Sequence, residues 1–200
     1  MKHRILTISR EFGSGGRTIG KQTAEQLKIP CYDKQLIQQI AQESGFAEEY
    51  VKSVDESYES LAASVFSTRA MGPTNVDYLW GVQRKIILHL AQQGPCVIVG
   101  RCADFILRDE ADCLTAFIHA SLEYRMDRIV KVYGERPESP GQRIHEKDKK
   151  RAAYHRFYTD MKWGYAKNYD ISLNSGILGI LTSLLPDWPH ENINHRPHNS

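Results

Sequence analysis

At 200 residues, 41% hydrophobic and 25% charged with a net charge of +2, the chain has the make-up of one soluble globular domain, which excludes a disordered or fibrous class. No run approaches the ~20 apolar residues of a membrane span, and Met1-Lys2-His3-Arg4-Ile5-Leu6 passes at once into an alternating strand, so a cytosolic protein without a membrane partner is expected. Cys31, Cys96, Cys102 and Cys113 form no CxxC pair and no metal-ligand spacing, which predicts reduced thiols used for packing.

In chain order, short apolar runs at 5–9, 30–32, 96–99, 114–120 and 169–173 read as strands buried on both faces. Helical spacing separates them: Ile19, Ala24 and Leu27; Val82, Ile86, Ile87 and Leu90; Leu122, Met126, Ile129 and Val130; then 177–185. This alternation predicts right-handed βαβ units and an α/β fold with a parallel sheet, whose ligand site lies beyond the carboxyl ends of the strands. The interval 34–94 is too long for one crossover helix and must hold several. Within it, 57–75 is rich in small and polar residues and reads as a loosely ordered connection, and the proline-rich tail 186–200 as an exposed extension.

The first strand runs into Ser9-Arg10-Glu11-Phe12-Gly13-Ser14-Gly15-Gly16-Arg17-Thr18, an altered phosphate-binding loop. In the pattern G-x-x-x-x-G-K-[ST], backbone N–H groups cradle nucleotide phosphates, the lysine reaches the β and γ oxygens and the hydroxyl binds Mg²⁺. Gly16-Arg17-Thr18 stands for G-K-T, and Glu11 occupies the place of the first glycine. Arginine keeps the permanent charge and adds a fork that holds phosphate oxygens in pairs. Glu11 must be paired to be tolerated beside phosphates, and Arg10 is the neighbour at hand.

Later segments add charge suited to the same ligand. Asp33, after the second strand, is a carboxylate for Mg²⁺ or the acceptor, or the cap of a helix starting near Gln35. Val99-Gly100-Arg101-Cys102-Ala103-Asp104 ends a buried strand with an arginine fit to hold an acceptor phosphate and a carboxylate fit to orient it; a plain surface ion pair is the alternative. Arg125 and Arg128 lie three apart on one face of a helix capped by Ser121. After the helix-breaking stretch 135–141 a new helix starts near Ile144. Its Tyr154, Phe157, Tyr158, Met161 and Tyr165 should face the core, and its Arg143, Lys147 and Arg151, with Asp148, should face a ligand or solvent. Residues 121–167 hold 12 Lys and Arg against 7 Asp and Glu, while 34–69 hold 3 against 6. A local cationic segment fits a phosphate-rich small ligand, and no nucleic-acid partner is expected.

The ordered set I-S-R-E-F-G-S-G-G-R-T-I-G, Y-D-K, V-G-R-C-A-D, H-A-S-L-E-Y-R-M-D-R, D-K-K-R and N-Y-D-I-S-L-N-S resembles the cytidylate kinase-like family of P-loop nucleoside monophosphate kinases over residues 5–175. The resemblance implies a three-layer P-loop kinase fold: a five-stranded parallel sheet, a helical acceptor-binding insert at about 34–94 and a short lid at about 134–151, in a single domain 1–185. It implies that Gly13, Ser14, Gly15, Gly16, Arg17 and Thr18 bind ATP, and that Arg17, Arg125, Arg128 and Arg151 surround the transferred phosphoryl group. Asp33, Arg101, Asp104 and Asp148 would serve the acceptor, and Thr18 would hold Mg²⁺, with Asp33 acting through water. The implied activity is transfer of the ATP γ-phosphoryl group to CMP or dCMP. Two departures, Arg17 in the loop and Glu146-Lys147-Asp148 at the lid, leave room for another small acceptor or for a noncatalytic nucleotide sensor.

Overall fold

The computed structural model describes residues 4–48, 75–109 and 112–179. The five apolar runs become β1 (Arg4–Arg10), β2 (Cys31–Tyr32), β3 (Cys96–Val99), β4 (Asp112–His119) and β5 (Ile171–Asn174), joined in one parallel sheet in the order β2-β3-β1-β4-β5. Ile5 pairs with Cys96 on one side and Cys113 on the other, so β1 is the central strand. Period-two alternation then divides its side chains between two cores. Ile5 and Ile98 join Leu36, Ile87 and Leu90 on one face, while Leu6, Ile8, Val97 and Val99 join Ile19 and Ala24 on the other. With helices on both faces the fold is a three-layer α/β sandwich, and a run such as Cys-Val-Ile-Val is buried at every position because both faces are covered.

The helices are α1 (Gly16–Leu27), α2 (Lys34–Ser44), α3 (Asn75–Gln93), α4 (Ala103–Ile106), α5 (Leu122–Tyr133), α6 (Pro140–Thr159) and α7 (Ser175–Leu178), with a 3₁₀ turn at Ala166–Asn168. Both α2 and α3 belong to the expected insert. The connection 57–74 and the tail lie outside the described residues.

Three expectations need correction. The helix expected near Ile144 starts at Pro140, where Ser139 and Gln142 form a reciprocal capping box and proline takes the first turn. The same helix stops at Thr159, with Asp160 in the left-handed region at φ 53°, so Met161 and Tyr165 lie beyond it. On α5 the apolar stripe is incomplete: Leu122 is 49% exposed, and Arg125 is buried beside Ile129. A buried arginine needs partners, and those partners lie in the loop after β1.

Candidate functional site

The loop between β1 and α1 is shaped by two left-handed glycines, Gly13 at φ 84° and Gly15 at φ 82°. Gly13 is also pressed against α5: a Cβ there would lie 2.8 Å from Ile129 Cγ2 and 3.0 Å from the Arg125 carbonyl. Ser14 Oγ donates to the Glu11 carbonyl at 2.9 Å and closes the turn. From below, Ser175 Oγ lies 2.6 Å from the Ser14 carbonyl and 3.1 Å from that of His119, tying the loop to the ends of β4 and β5. No side chain caps α1, whose N-cap is Gly15. The amides of Gly16, Arg17 and Thr18 precede the first intrahelical donor, the Ile19 N–H that bonds the Gly15 carbonyl at 3.0 Å, and, with the helix dipole, make a positive hollow at the carboxyl end of the sheet.

Charged side chains from two later helices close over this hollow. Arg125 Nη1 donates to Asp148 Oδ2 at 2.5 Å and to the Phe12 carbonyl at 3.3 Å, and its Nε stands 3.4 Å from Glu11 Oε2. Asp148 Oδ1 accepts from the Phe12 amide at 2.7 Å. Arg151 Nη1 donates to the Arg10 carbonyl at 3.0 Å, lies 3.9 Å from Asp148 Oδ1, and sets its guanidinium 5.6 Å from the centre of the Phe12 ring. Arg128 Nη2 donates to Thr18 Oγ1 at 3.0 Å. Arg125, Arg128, Asp148 and Arg151 thus meet residues 10–18, although more than 100 residues separate them in the chain.

Glu11, placed at the first-glycine position by the sequence, has its carboxylate held by the Ala120 amide at 3.2 Å and by Arg125. Its charge is compensated by groups just after β4 and on α5, far along the chain from it. Asp148, expected on the acceptor side, here accepts from the Phe12 amide and from Arg125.

On the other flank Arg17 pairs with Asp33. Asp33 is the N-cap residue of α2 but makes no side-chain cap hydrogen bond, because its carboxylate is turned to the arginine. Arg101 stands at φ 61° and Cys102 at φ 51°, consecutive left-handed residues after Gly100 at φ 79°. This strained turn is braced from behind: Gln83 Nε2 donates to the Arg101 carbonyl at 3.0 Å, and Tyr154 Oη donates to Gln83 Oε1 at 3.2 Å. Gln83 is buried, and its position on an apolar helix face was the one signal in the sequence that it meets a buried partner.

Asp104 departs from expectation. Its carboxylate is 2% exposed, with Oδ2 3.3 Å from His155 Nε2, and it links α4 to α6 inside the protein. It sits in the first turn of α4 and is buried against α6. His155 completes the contact with Thr159 Oγ1 at 3.1 Å from Nδ1.

The four cysteines are free. Burial pushes the Cys96 and Cys113 thiols up to about 12 and the Cys31 thiol up to about 11, so all three stay protonated near neutrality. Among the described residues no cluster of three His, Cys, Asp or Glu side chains could hold a metal, and no helix is long and apolar enough to cross a membrane. Magnesium needs no such cluster, since it takes hard oxygens and only one or two carboxylates beside substrate phosphates. The Thr18 hydroxyl and the Asp33 carboxylate are oxygen donors of that type, and the Arg17–Asp33 pair brings the two sides together.

A parallel sheet of this order, with a glycine-shaped loop opening α1 and arginines from two later helices set on it, defines a P-loop kinase-like protein. A crystal structure of an uncharacterized protein from Eubacterium ventriosum is 30% identical, with 85% of this chain and 86% of that chain covered and a TM-score of 0.63. The crystal structure of TT1252 from Thermus thermophilus shares the fold at 17% identity and a TM-score of 0.50, over 87% and 89% of the two chains. A comparison with curated proteins gives no match. The model of the cytidylate kinase-like family matches residues 5–177, and the chain belongs to that family. Its general chemistry is therefore that of a nucleotide or small-molecule phosphotransferase.

Proposed function

We propose that this protein is an ATP- and Mg²⁺-dependent nucleoside monophosphate kinase that moves the γ-phosphoryl group of ATP to the phosphate of CMP or dCMP. The observation that carries the reading is the convergence of Arg125, Arg128 and Arg151 on the glycine loop, 3.0–3.3 Å from its atoms at Phe12, Thr18 and Arg10. The acceptor phosphate is already anionic, so no general base is required and the task reduces to alignment, exclusion of water and neutralisation of charge. In this reading the amides of residues 13–18 hold the donor phosphates and Arg17 screens them from the acceptor flank. Arg125, Arg128 and Arg151 meet the oxygens of the transferring group, and Asp33, Arg101 and Asp148 belong to the acceptor. Bound Mg²⁺, held by Thr18 and reached by Asp33 through water, would neutralise phosphate charge. Asp104 serves indirectly, by fixing α4 against α6.

A noncatalytic sensor is the second reading, and one observation favours it. Asp148 holds the Phe12 amide and, with Glu11, engages Arg125, so the lid helix is latched onto the loop by contacts that entering phosphates must replace. The two readings separate in one assay. The purified protein, given ATP, Mg²⁺ and a panel of ribo- and deoxymonophosphates, is expected to form diphosphate fastest from CMP or dCMP, and Arg17→Ala is expected to abolish it. Nucleotide binding by calorimetry without product from any monophosphate would leave the sensor.

A further inference from the structure

We propose that Arg10, the last residue of β1, is a phosphate-contacting cation of this site, set between the donor loop and the acceptor flank. The inference deepens the kinase reading and rests on it for the identity of the ligand.

The path of the side chain is marked by two glycines that have no room for a Cβ. At Gly16 a Cβ would lie 2.6 Å from Arg10 Cβ and 3.2 Å from Cγ; at Gly100 it would lie 2.0 Å from Arg10 Nη1 and 3.0 Å from Cζ. The stem of Arg10 therefore fills the space a side chain at 16 would need, and its guanidinium fills the space of one at 100. Arg10 runs from the first residue of α1 to the turn after β3.

That path crosses the place where ligand chemistry is expected. The chain leaving β1 returns to β2 on one side of the sheet, whereas the chain leaving β3 passes to β4 on the other side of β1. The β1/β3 crevice is thus the topological switch point, where open α/β sheets bind their ligands at the carboxyl ends of the strands. Both ends of the Arg10 seat are fixed. Arg151 holds the Arg10 carbonyl at 3.0 Å. The turn carrying Gly100 is braced by Gln83, which donates to the Arg101 carbonyl at 3.0 Å. A guanidinium keeps its charge at any physiological pH and presents a planar fork of donors, which suits phosphate oxygens.

Arg17, which fills the lysine place in the sequence pattern, pairs with Asp33 on the outer flank. Arg10 lies nearer the middle of the sheet, between the α1 amides and Arg101. A cation there faces the oxygens of a phosphoryl group in transit and stabilises charge where it develops.

The test uses the full chain and two readouts, with inorganic tripolyphosphate as the binding probe. Arg10→Met keeps the stem between Gly16 and Gly100 and removes only the fork, so its melting temperature should stay near that of the wild type. Calorimetry should give roughly 10- to 100-fold weaker tripolyphosphate binding, the worth of one charge-assisted contact. Turnover with the preferred monophosphate should fall in kcat by about 10²–10³-fold, as for loss of a preorganised donor. Arg10→Lys, which keeps the charge without the fork, should lie between. Tripolyphosphate binding by Arg10→Met equal to that of the wild type would overturn the proposal, as would absence of binding to the wild type. Arg10-dependent binding in a protein that turns over no monophosphate would support the Arg10 assignment and remove the kinase reading. Turnover indifferent to Arg10→Met would do the opposite.

Discussion

Replacing Asp148 by Asn keeps the shape of the side chain and removes the charge that holds α6 on the loop. In the wild type Asp148 Oδ2 accepts from Arg125 at 2.5 Å and Oδ1 from the Phe12 amide at 2.7 Å. The amide of Asn can satisfy only one of these, because its nitrogen turns a donor toward either the guanidinium or the peptide N–H. The side chains of Arg125 and Asp148 are 10% and 17% exposed, so water recovers little of the loss. Breaking a buried ion pair costs about 3–5 kcal/mol, and losing a hydrogen bond to a charged group about 1.5–3 kcal/mol. Glu11 remains 3.4 Å from Arg125 Nε and compensates part of the charge, so a loss of about 2–3 kcal/mol is expected. For a chain of this size that lowers Tm by about 4–12 °C. The control is Asp127→Asn, which breaks an i,i+4 pair with Lys131 whose members are 59% and 72% exposed and which should change stability by no more than about 0.5 kcal/mol. Thermal and urea unfolding of both variants, with a cycle that adds Arg125→Met, measure the coupling directly. A shift for Asp148→Asn no larger than the control's, or strictly additive effects of the Asp148 and Arg125 changes, would refute the view that this pair holds α6 on the loop.

Two further outcomes follow from the geometry. Gly13→Ala forces a Cβ to within 2.8 Å of Ile129 at φ 84°, and should cost about 1–3 kcal/mol in urea unfolding and weaken nucleotide binding; unchanged stability would mean that the loop relaxes freely. The buried thiols make stability depend on alkaline pH. An ordinary cysteine titrates near 9.0, whereas Cys96 and Cys113 in the folded protein are raised to about 12. Between those values the unfolded chain has given up protons that the folded chain keeps, so their contribution is intact below pH 9 and is lost as pH rises toward 12, by up to ~1.4 kcal/mol per pH unit for each thiol. Urea unfolding at pH 7 and pH 10 should show the fall, and Cys96→Ala with Cys113→Ala should remove their share of it and leave the share of Cys31, raised to about 11; a slope unchanged by both substitutions would assign it elsewhere.

The fold was legible in the sequence because its strands are short apolar runs bounded by turn residues. A strand covered by helices on both faces must be apolar at every position, and Cys96–Val99 was found at its full extent for that reason. The glycine loop was equally plain, since only glycine accepts the left-handed backbone at 13 and 15 without strain. Helix ends were less visible where a capping box and a left-handed terminus, at Ser139 and Asp160, outweighed the periodicity.

The sequence by itself thus determined the class of fold, the phosphate-shaped loop and the set of arginines near it. Which side chains meet was decided only by the tertiary structure. Glu11 finds Arg125 and Ala120, Asp148 finds Phe12, Asp104 turns inward to His155, and Gly16 and Gly100 together open a path for Arg10. The physical reason is distance along the chain: local propensity and period fix each element, but charge pairing and the space left by a missing Cβ depend on elements brought together by folding of the whole sheet.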